Sequence, residues 1–201
     1  MKKLMIILSL IFLFVGCEYE TDDNTKDINS LFYDKYDFYS ISFQSVGNGI
    51  NVLIMGDSTM YSSAYCDNLP YNIYNVSKPG ITTRGIINRL HFIQSLNIDY
   101  VVIGIGINDS KHLSTGEFNS HILTIIDYCN DSGVDVVFIQ ITDIYGCASE
   151  NVLYNNIYMS LTCDNYLKWD CLQSETVDGI HFNYSGYTRL SQEIENMIDG
   201  L

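Results

Sequence analysis

Proline, tryptophan and positive charge are all scarce in this chain. Its 201 residues hold two Pro, one Trp and ten Lys plus Arg. So few prolines, 14 Gly and no repeated segment of solenoid length exclude collagen-like, proline-rich and repeat architectures. Against the ten basic residues stand 24 Asp and Glu, a formal net charge of -14 that would repel a phosphate backbone rather than release its counterions. Nucleic acid is therefore excluded as the expected partner. No C-x-x-C pair and no H-E-x-x-H occurs, and His91, His112 and His121 lack metal-ligand spacing, so a structural or catalytic zinc is not expected. What the chain does have is apolar material: 47% hydrophobic and 13% aromatic residues in a length typical of one domain predict a single sizeable core.

The N-terminus reads as an export signal. Lys2 and Lys3 precede a predominantly apolar run from Leu4 to Val15, and Gly16 and Cys17 follow. Twelve residues are too few for a permanent spanning helix. Phe14-Val15-Gly16-Cys17 resembles a bacterial lipobox, with Phe14 where Leu is more usual. That resemblance implies cleavage after residue 16, a lipid on Cys17 that holds the protein to a membrane, and an exported chain in the cell envelope. A plain secretory signal and an uncleaved anchor are the alternatives. Cleavage would remove Lys2 and Lys3 and no acid, taking the formal charge from -14 to -16. Residues 17–48 then divide in two. Glu18 to Ser30 has almost no apolar content and reads as a solvated tether. Leu31 to Phe43 is aromatic-rich and reads either as an edge strand or as a flap over the domain. Five thiols remain beyond Cys17 (Cys66, Cys129, Cys147, Cys163, Cys171), an odd number that cannot pair internally in full.

Residues 49–201 form the predicted domain. Short β-branched runs alternate with segments of helical periodicity. Strands are expected over Ile50–Met55, Asn72–Val76, Tyr100–Ile105, Val134–Ile141 and Tyr166–Trp169, and helices over Thr83–Leu96, Phe118–Tyr128, Asn151–Leu161 and Ser185–Ile198. Continuous apolar strands such as VVIGIGI and VDVVFIQI suit a parallel sheet covered on both faces, so the pattern predicts a three-layer α/β/α sandwich with about five parallel strands. Chemistry in such sheets sits beyond the carboxyl ends of the strands.

Those ends carry four short motifs. Gly56-Asp57-Ser58 follows the first strand, Asn75-Val76-Ser77-Lys78-Pro79-Gly80 the second and Gly106-Ile107-Asn108-Asp109 the third; Asp178-Gly179-Ile180-His181 precedes the last helix. Each alone is weak, since a G-D-S triplet arises by chance in roughly one chain of this size in twenty. Four in fixed order, each at a strand end, are not. Asp109 occupies the third glycine position of a G-x-G-x-x-G reading, which excludes a dinucleotide site, and Ser58 lacks the G-x-S-x-G setting of the classical α/β-hydrolases.

Over about Asn51 to Asp199 the chain resembles the SGNH hydrolases, also called the GDSL esterases and lipases, through Ser58, Gly80, Asn108 and the pair Asp178 and His181. The resemblance implies a flavodoxin-like sandwich and hydrolysis of esters or thioesters without a cofactor. Thr59 and Phe182 depart from the commoner Leu and Pro. The chemistry also follows from the residues themselves. A serine hydroxyl needs a base, and the base needs an orienting acid, so Ser58, His181 and Asp178 are the candidate catalytic residues. Gly56 permits a tight turn that presents Ser58 at a helix start, and Ser58 N–H, Gly80 N–H and the Asn108 amide are the candidate oxyanion donors. Asp57 reads as structural, bonding neighbouring loop amides.

The expected protein is thus an exported, lipid-anchored serine esterase. Its expected substrate is a small ester or an acylated glycan carrying short acyl groups such as acetyl. The competing readings are a lipid-directed lysophospholipase or thioesterase, and a non-catalytic surface lipoprotein that binds glycan.

Overall fold

Apolar runs with no polar alternation need cover on both faces, and those of this chain receive it. In the computed structural model, which describes residues 42–44, 49–62, 64–142 and 151–201, they form β2 (Asn51–Gly56), β3 (Asn72–Asn75), β4 (Tyr100–Gly104), β5 (Asp135–Ile139) and β6 (Tyr166–Leu167). Beyond its first one or two residues, each strand is buried. All five are parallel, in the order β3-β2-β4-β5-β6. A sixth strand, β1 (Ser42–Gln44), pairs antiparallel with β3, placing Phe43 opposite Tyr74. The sheet therefore takes in residues that the sequence set ahead of the domain. The rest of the Leu31 to Phe43 segment, the signal and the tether lie outside the described residues.

The helices are α1 (Ala64–Asn68), α2 (Thr83–Ile87), α3 (His91–Ser95), α4 (Asp109–His112), α5 (Thr115–Ser132), α6 (Asn151–Thr162) and α7 (Tyr184–Asp199). They form two groups: α1 packs against α7, while α2, α3 and α4 join α5 and α6. Residues alternate across a strand. Val52, Ile54, Val102, Val137 and Ile139 share one core with Tyr65, Tyr187, Leu190, Ile194 and Ile198 of α1 and α7. Leu53, Met55, Val101, Ile103 and Phe138, equally buried, face the other way.

Local signals set the helix ends. Ser114 and Glu117 form a reciprocal capping box before α5, and Gly133 ends it at φ 67. On α7, Tyr187, Leu190, Ser191, Ile194 and Ile198 fall on one buried face. The helix expected over Thr83–Leu96 is instead two. Between them the bonds run three residues back, from Arg89 N–H to Ile86 O (2.8 Å) and from Phe92 N–H to Arg89 O (3.0 Å). Ile86, Arg89, Leu90 and Ile93 are all buried along this stretch, and Arg89 donates from Nη1 to Gly85 O at 2.8 Å. The short helices α1 and α4 have no helical periodicity to announce them.

Candidate active site

The order of the five parallel strands makes a topological switch between β2 and β4, whose following connections leave in opposite directions. Ser58 follows β2 and Asn108 follows β4. Gly56 and Gly104 are paired across these strands, and Met60 is laid over both. A Cβ on Gly56 would lie 2.4 Å from Gly104 O, and one on Gly104 would lie 2.5 Å from Met60 Sδ. Two glycines are thus needed for the chain to turn here. The turn closes through Met60 N–H to Asp57 O at 3.2 Å, and helix α1 begins only at Ala64. Ser58 consequently stands in a tight turn, not at the helix start that the sequence suggested. Asn75 at the end of β3 holds this turn from the side, with Nδ2 donating to Met60 O (3.0 Å) and Ser62 O (3.1 Å).

Ser58 Oγ lies 2.8 Å from His181 Nε2 across 123 residues of sequence. His181 Nδ1 lies 2.7 Å from Asp178 Oδ2. With the proton on Nδ1 donated to the carboxylate, Nε2 is left to accept from the serine hydroxyl. Asp178 Oδ1 accepts the backbone N–H groups of His181 (2.8 Å) and Ile180 (3.1 Å). The backbone bond from His181 and then its ring hold the Asp178 carboxyl down at about 2. It is therefore a fixed anion at every pH at which the imidazole works.

The loop that carries this pair is fastened behind it. Val177 N–H donates to His181 O at 2.8 Å, and Asn183 N–H to Glu175 O at 2.9 Å. Buried Glu175 takes Nε and Nη2 of Arg189 on α7, and the guanidinium also lies 4.1 Å over the ring of buried Trp169. Gly186 lets the helix approach, since a Cβ there would meet Glu175 O at 2.4 Å.

Asp57 is 1% exposed. Its Oδ1 accepts both the N–H and the hydroxyl of Thr59 at 2.9 Å, and its Oδ2 accepts from Asn108 Nδ2 at 3.3 Å. Burial pushes its carboxyl up to about 6, against the bonds from Thr59. The Asn108 amide also donates to Ile81 O at 3.1 Å. Both of its hydrogens therefore have protein acceptors, and the longer bond to Asp57 is the one that must be shared when a substrate oxygen arrives. No protein acceptor takes the N–H of Ser58 or of Gly80 among the described residues. Gly80 is exposed at φ +80 with nothing within 4 Å of a Cβ position. A pocket beside the nucleophile turn is lined by Asp57, Thr59, Ile105, Ile141, Thr142 and Phe182, and its free volume of about 10 Å³ is that of one water.

No protein-family model matches the chain, and no curated protein does. Solved structures match it closely in shape. The psychrotrophic esterase EstA of a Pseudoalteromonas species, in a form inhibited by monoethylphosphonate, aligns with 75% of this chain and 97% of its own at a TM-score of 0.59 and 16% identity. A GDSL-like lipase from Bacteroides thetaiotaomicron covers 75% of this chain and 89% of its own, at 0.61 and 15%. The chain has the SGNH hydrolase fold. The acetylxylan esterase Axe2 from Geobacillus stearothermophilus is similar over 77% of this chain and 96% of its own, at 0.59 and 15% identity. At such identities the likeness is one of fold, and what this member of the fold can do rests on its own side chains.

Sequence reasoning named Ser58, Asp178 and His181, which the fold brings together, and Gly80 and Asn108, which it sets on neighbouring loops. It missed Met60 and Asn75, which build the turn that carries Ser58. Asn75 carried a usable signal, a polar residue in a strand otherwise reading as core. Among the described residues no group of three His, Cys, Asp or Glu side chains is placed to hold a metal ion. Cys129 and Cys163 are free and buried, with thiols pushed up to about 12 by burial, and Cys171 is free and half-buried. Cys17, Cys147 and the side chain of Cys66 lie outside the described residues.

Proposed function

We propose that the protein is a serine esterase of SGNH type that removes short acyl groups, such as acetyl, from an alcohol on a cell-envelope or extracellular glycan. The observation that carries this is the unbroken line Ser58 Oγ, His181, Asp178, with spacings of 2.8 and 2.7 Å, at the switch point of the sheet. In this reading His181 Nε2 takes the Ser58 proton as Oγ attacks the ester carbonyl, and Asp178 stabilises the imidazolium. The N–H groups of Ser58 and Gly80, with the Asn108 amide, receive the developing oxyanion. His181 then returns the proton to the departing alcohol, and water repeats the sequence on the acyl-serine.

Short acyl groups suit a domain of residues 49–201, which leaves little chain for a separate lid or a long acyl tunnel in which methylenes could be buried. The lipobox-like Phe14-Val15-Gly16-Cys17 supports an address on a membrane through a lipid on Cys17. No helix among the described residues is long and apolar enough to cross a membrane. The test is hydrolysis of p-nitrophenyl acetate, butyrate and octanoate by the purified protein and its Ser58→Ala variant. Activity highest on acetate and absent from the variant is expected. Activity that survives Ser58→Ala overturns the mechanism, and a steep rise toward octanoate overturns the acyl preference. Labelling by a palmitate analogue that Cys17→Ser abolishes is the matching test of address.

A further inference from the structure

Behind the candidate oxyanion donors runs a second line of hydrogen bonds that the esterase reading does not use. Asp109 and Thr83 are both 0% exposed. Asp109 Oδ1 accepts the N–H of Thr83 at 2.8 Å and its hydroxyl at 2.5 Å, across 26 residues. Having given its one proton to the carboxylate, the Thr83 hydroxyl accepts from Nδ1–H of His121 on α5 at 2.7 Å. Burial pushes the Asp109 carboxyl up, and the two bonds from Thr83 act against that push.

A buried carboxylate is costly, and an apolar residue of similar size would fill the space at less expense. What Asp109 adds is reach between two loops. It directly follows Asn108 and opens α4, while Thr83 opens α2 three residues after Gly80. A second tie joins the same loops, from Asn108 Nδ2 to Ile81 O at 3.1 Å. Two ties fix the orientation of one loop against the other as well as their separation. Gly80 is exposed at φ +80, in a turn closed by a long bond from Ile81 N–H to Lys78 O at 3.4 Å, so the ties at Ile81 and Thr83 bear on where its N–H points. We infer that Thr83 and Asp109, backed by His121, are positioning residues that hold the Gly80 N–H and the Asn108 amide in register for one substrate oxygen. This rests on the esterase reading of the same site. None of the three touches substrate; they act through the donors.

The test is steady-state hydrolysis of p-nitrophenyl acetate by the full protein and three variants. Losing one oxyanion donor outright typically costs about 10² to 10³ in rate, so a misplaced donor in Thr83→Val should lower kcat by about tenfold or more, with KM within about twofold. Thr83→Ser keeps both the N–H and the hydroxyl and should stay within about twofold of wild type in both constants. His121→Leu, at a partly exposed position that folding tolerates, should lower kcat by about threefold. Wild-type kcat in Thr83→Val overturns the inference, as does a Ser variant that falls as far as Val, or a change confined to KM. Should Thr83→Val fail to fold, an unchanged kcat in His121→Leu is decisive against it. A wild-type protein that turns over no ester overturns the esterase reading itself, a result distinct from an active wild type beside an equally active Thr83→Val.

Discussion

Two aspartates serve the candidate site, and the two regions that hold them treat the same side chain in opposite ways. Asp57 belongs to the nucleophile turn, is buried, and has its carboxyl lifted to about 6 by loss of water. Asp178 belongs to the acid-base loop, is exposed, and is held down at about 2 by the backbone N–H and ring of His181. The turn is built from contacts too close to change: Gly56 against Gly104 O, with Met60 over both. The loop is built from polar bonds near the surface and one ion pair, Glu175 with Arg189. The contrast suits the chemistry. In the proposed mechanism the nucleophile must be presented at one place, whereas the orienting acid must stay charged while a proton comes and goes on its neighbour.

The sharpest way to break this contrast is Asp178→Asn, which leaves the loop's shape but removes its fixed charge and should lower turnover by about 10² to 10⁴, read as kcat on p-nitrophenyl acetate. Gly56→Ala tests the other region. A backbone oxygen 2.4 Å from the new Cβ cannot retreat as a side chain can, so stability should fall by about 1 to 3 kcal/mol, seen as a lower urea midpoint with unchanged slope.

Asp57→Asn separates the two carboxyls by pH. A carboxyl raised from 3.8 to about 6 is protonated more in the folded than in the unfolded chain between those values. Its contribution to stability therefore declines as pH rises through that window, by about 3 kcal/mol in all, and the neutral amide shows no such decline. Urea unfolding at pH 4 and pH 8 should find wild type losing more stability than Asp57→Asn between the two. Equal losses would mean that Asp57 is not held as described. Asp178, being lowered, gives the opposite sign: its contribution is present at neutral pH and fades only as pH falls from 3.8 toward 2. The smallest effect is expected for Gly80→Ala, where only a left-handed backbone opposes the methyl, at about 1 kcal/mol in the same unfolding assay.

The same contrast divides what could be read from the sequence. Strands such as Val52–Met55 and Val101–Ile103 announce themselves because burial on both faces leaves no polar residue to blur the run. Ser58, Asp178 and His181 could be singled out as candidates because each follows or precedes an element whose end was itself legible. Partnerships between loops were not. Nothing in the spacing of Asp57 and Asn108, or of Thr83 and Asp109, records that 51 and 26 residues of chain are closed by hydrogen bonds between them. The break between α2 and α3 was hidden for a different reason: Arg89 lies three residues after Ile86 and four before Ile93, on the apolar face of the expected helix, so the periodicity runs on through the point where the winding tightens.

Among the described residues the sheet's two rims are strands of three and two residues, β1 and β6. An unpaired strand edge is a template on which another chain can build, and the longer and flatter it is, the better it serves. The long inner strands of this protein, rich in Val and Ile and nearly free of charge, are the kind that would propagate such an assembly. By closing each side with a strip too short to register a newcomer, the molecule keeps its most adhesive segments enclosed. Strands this brief offer a second copy of the chain little edge on which to extend the sheet.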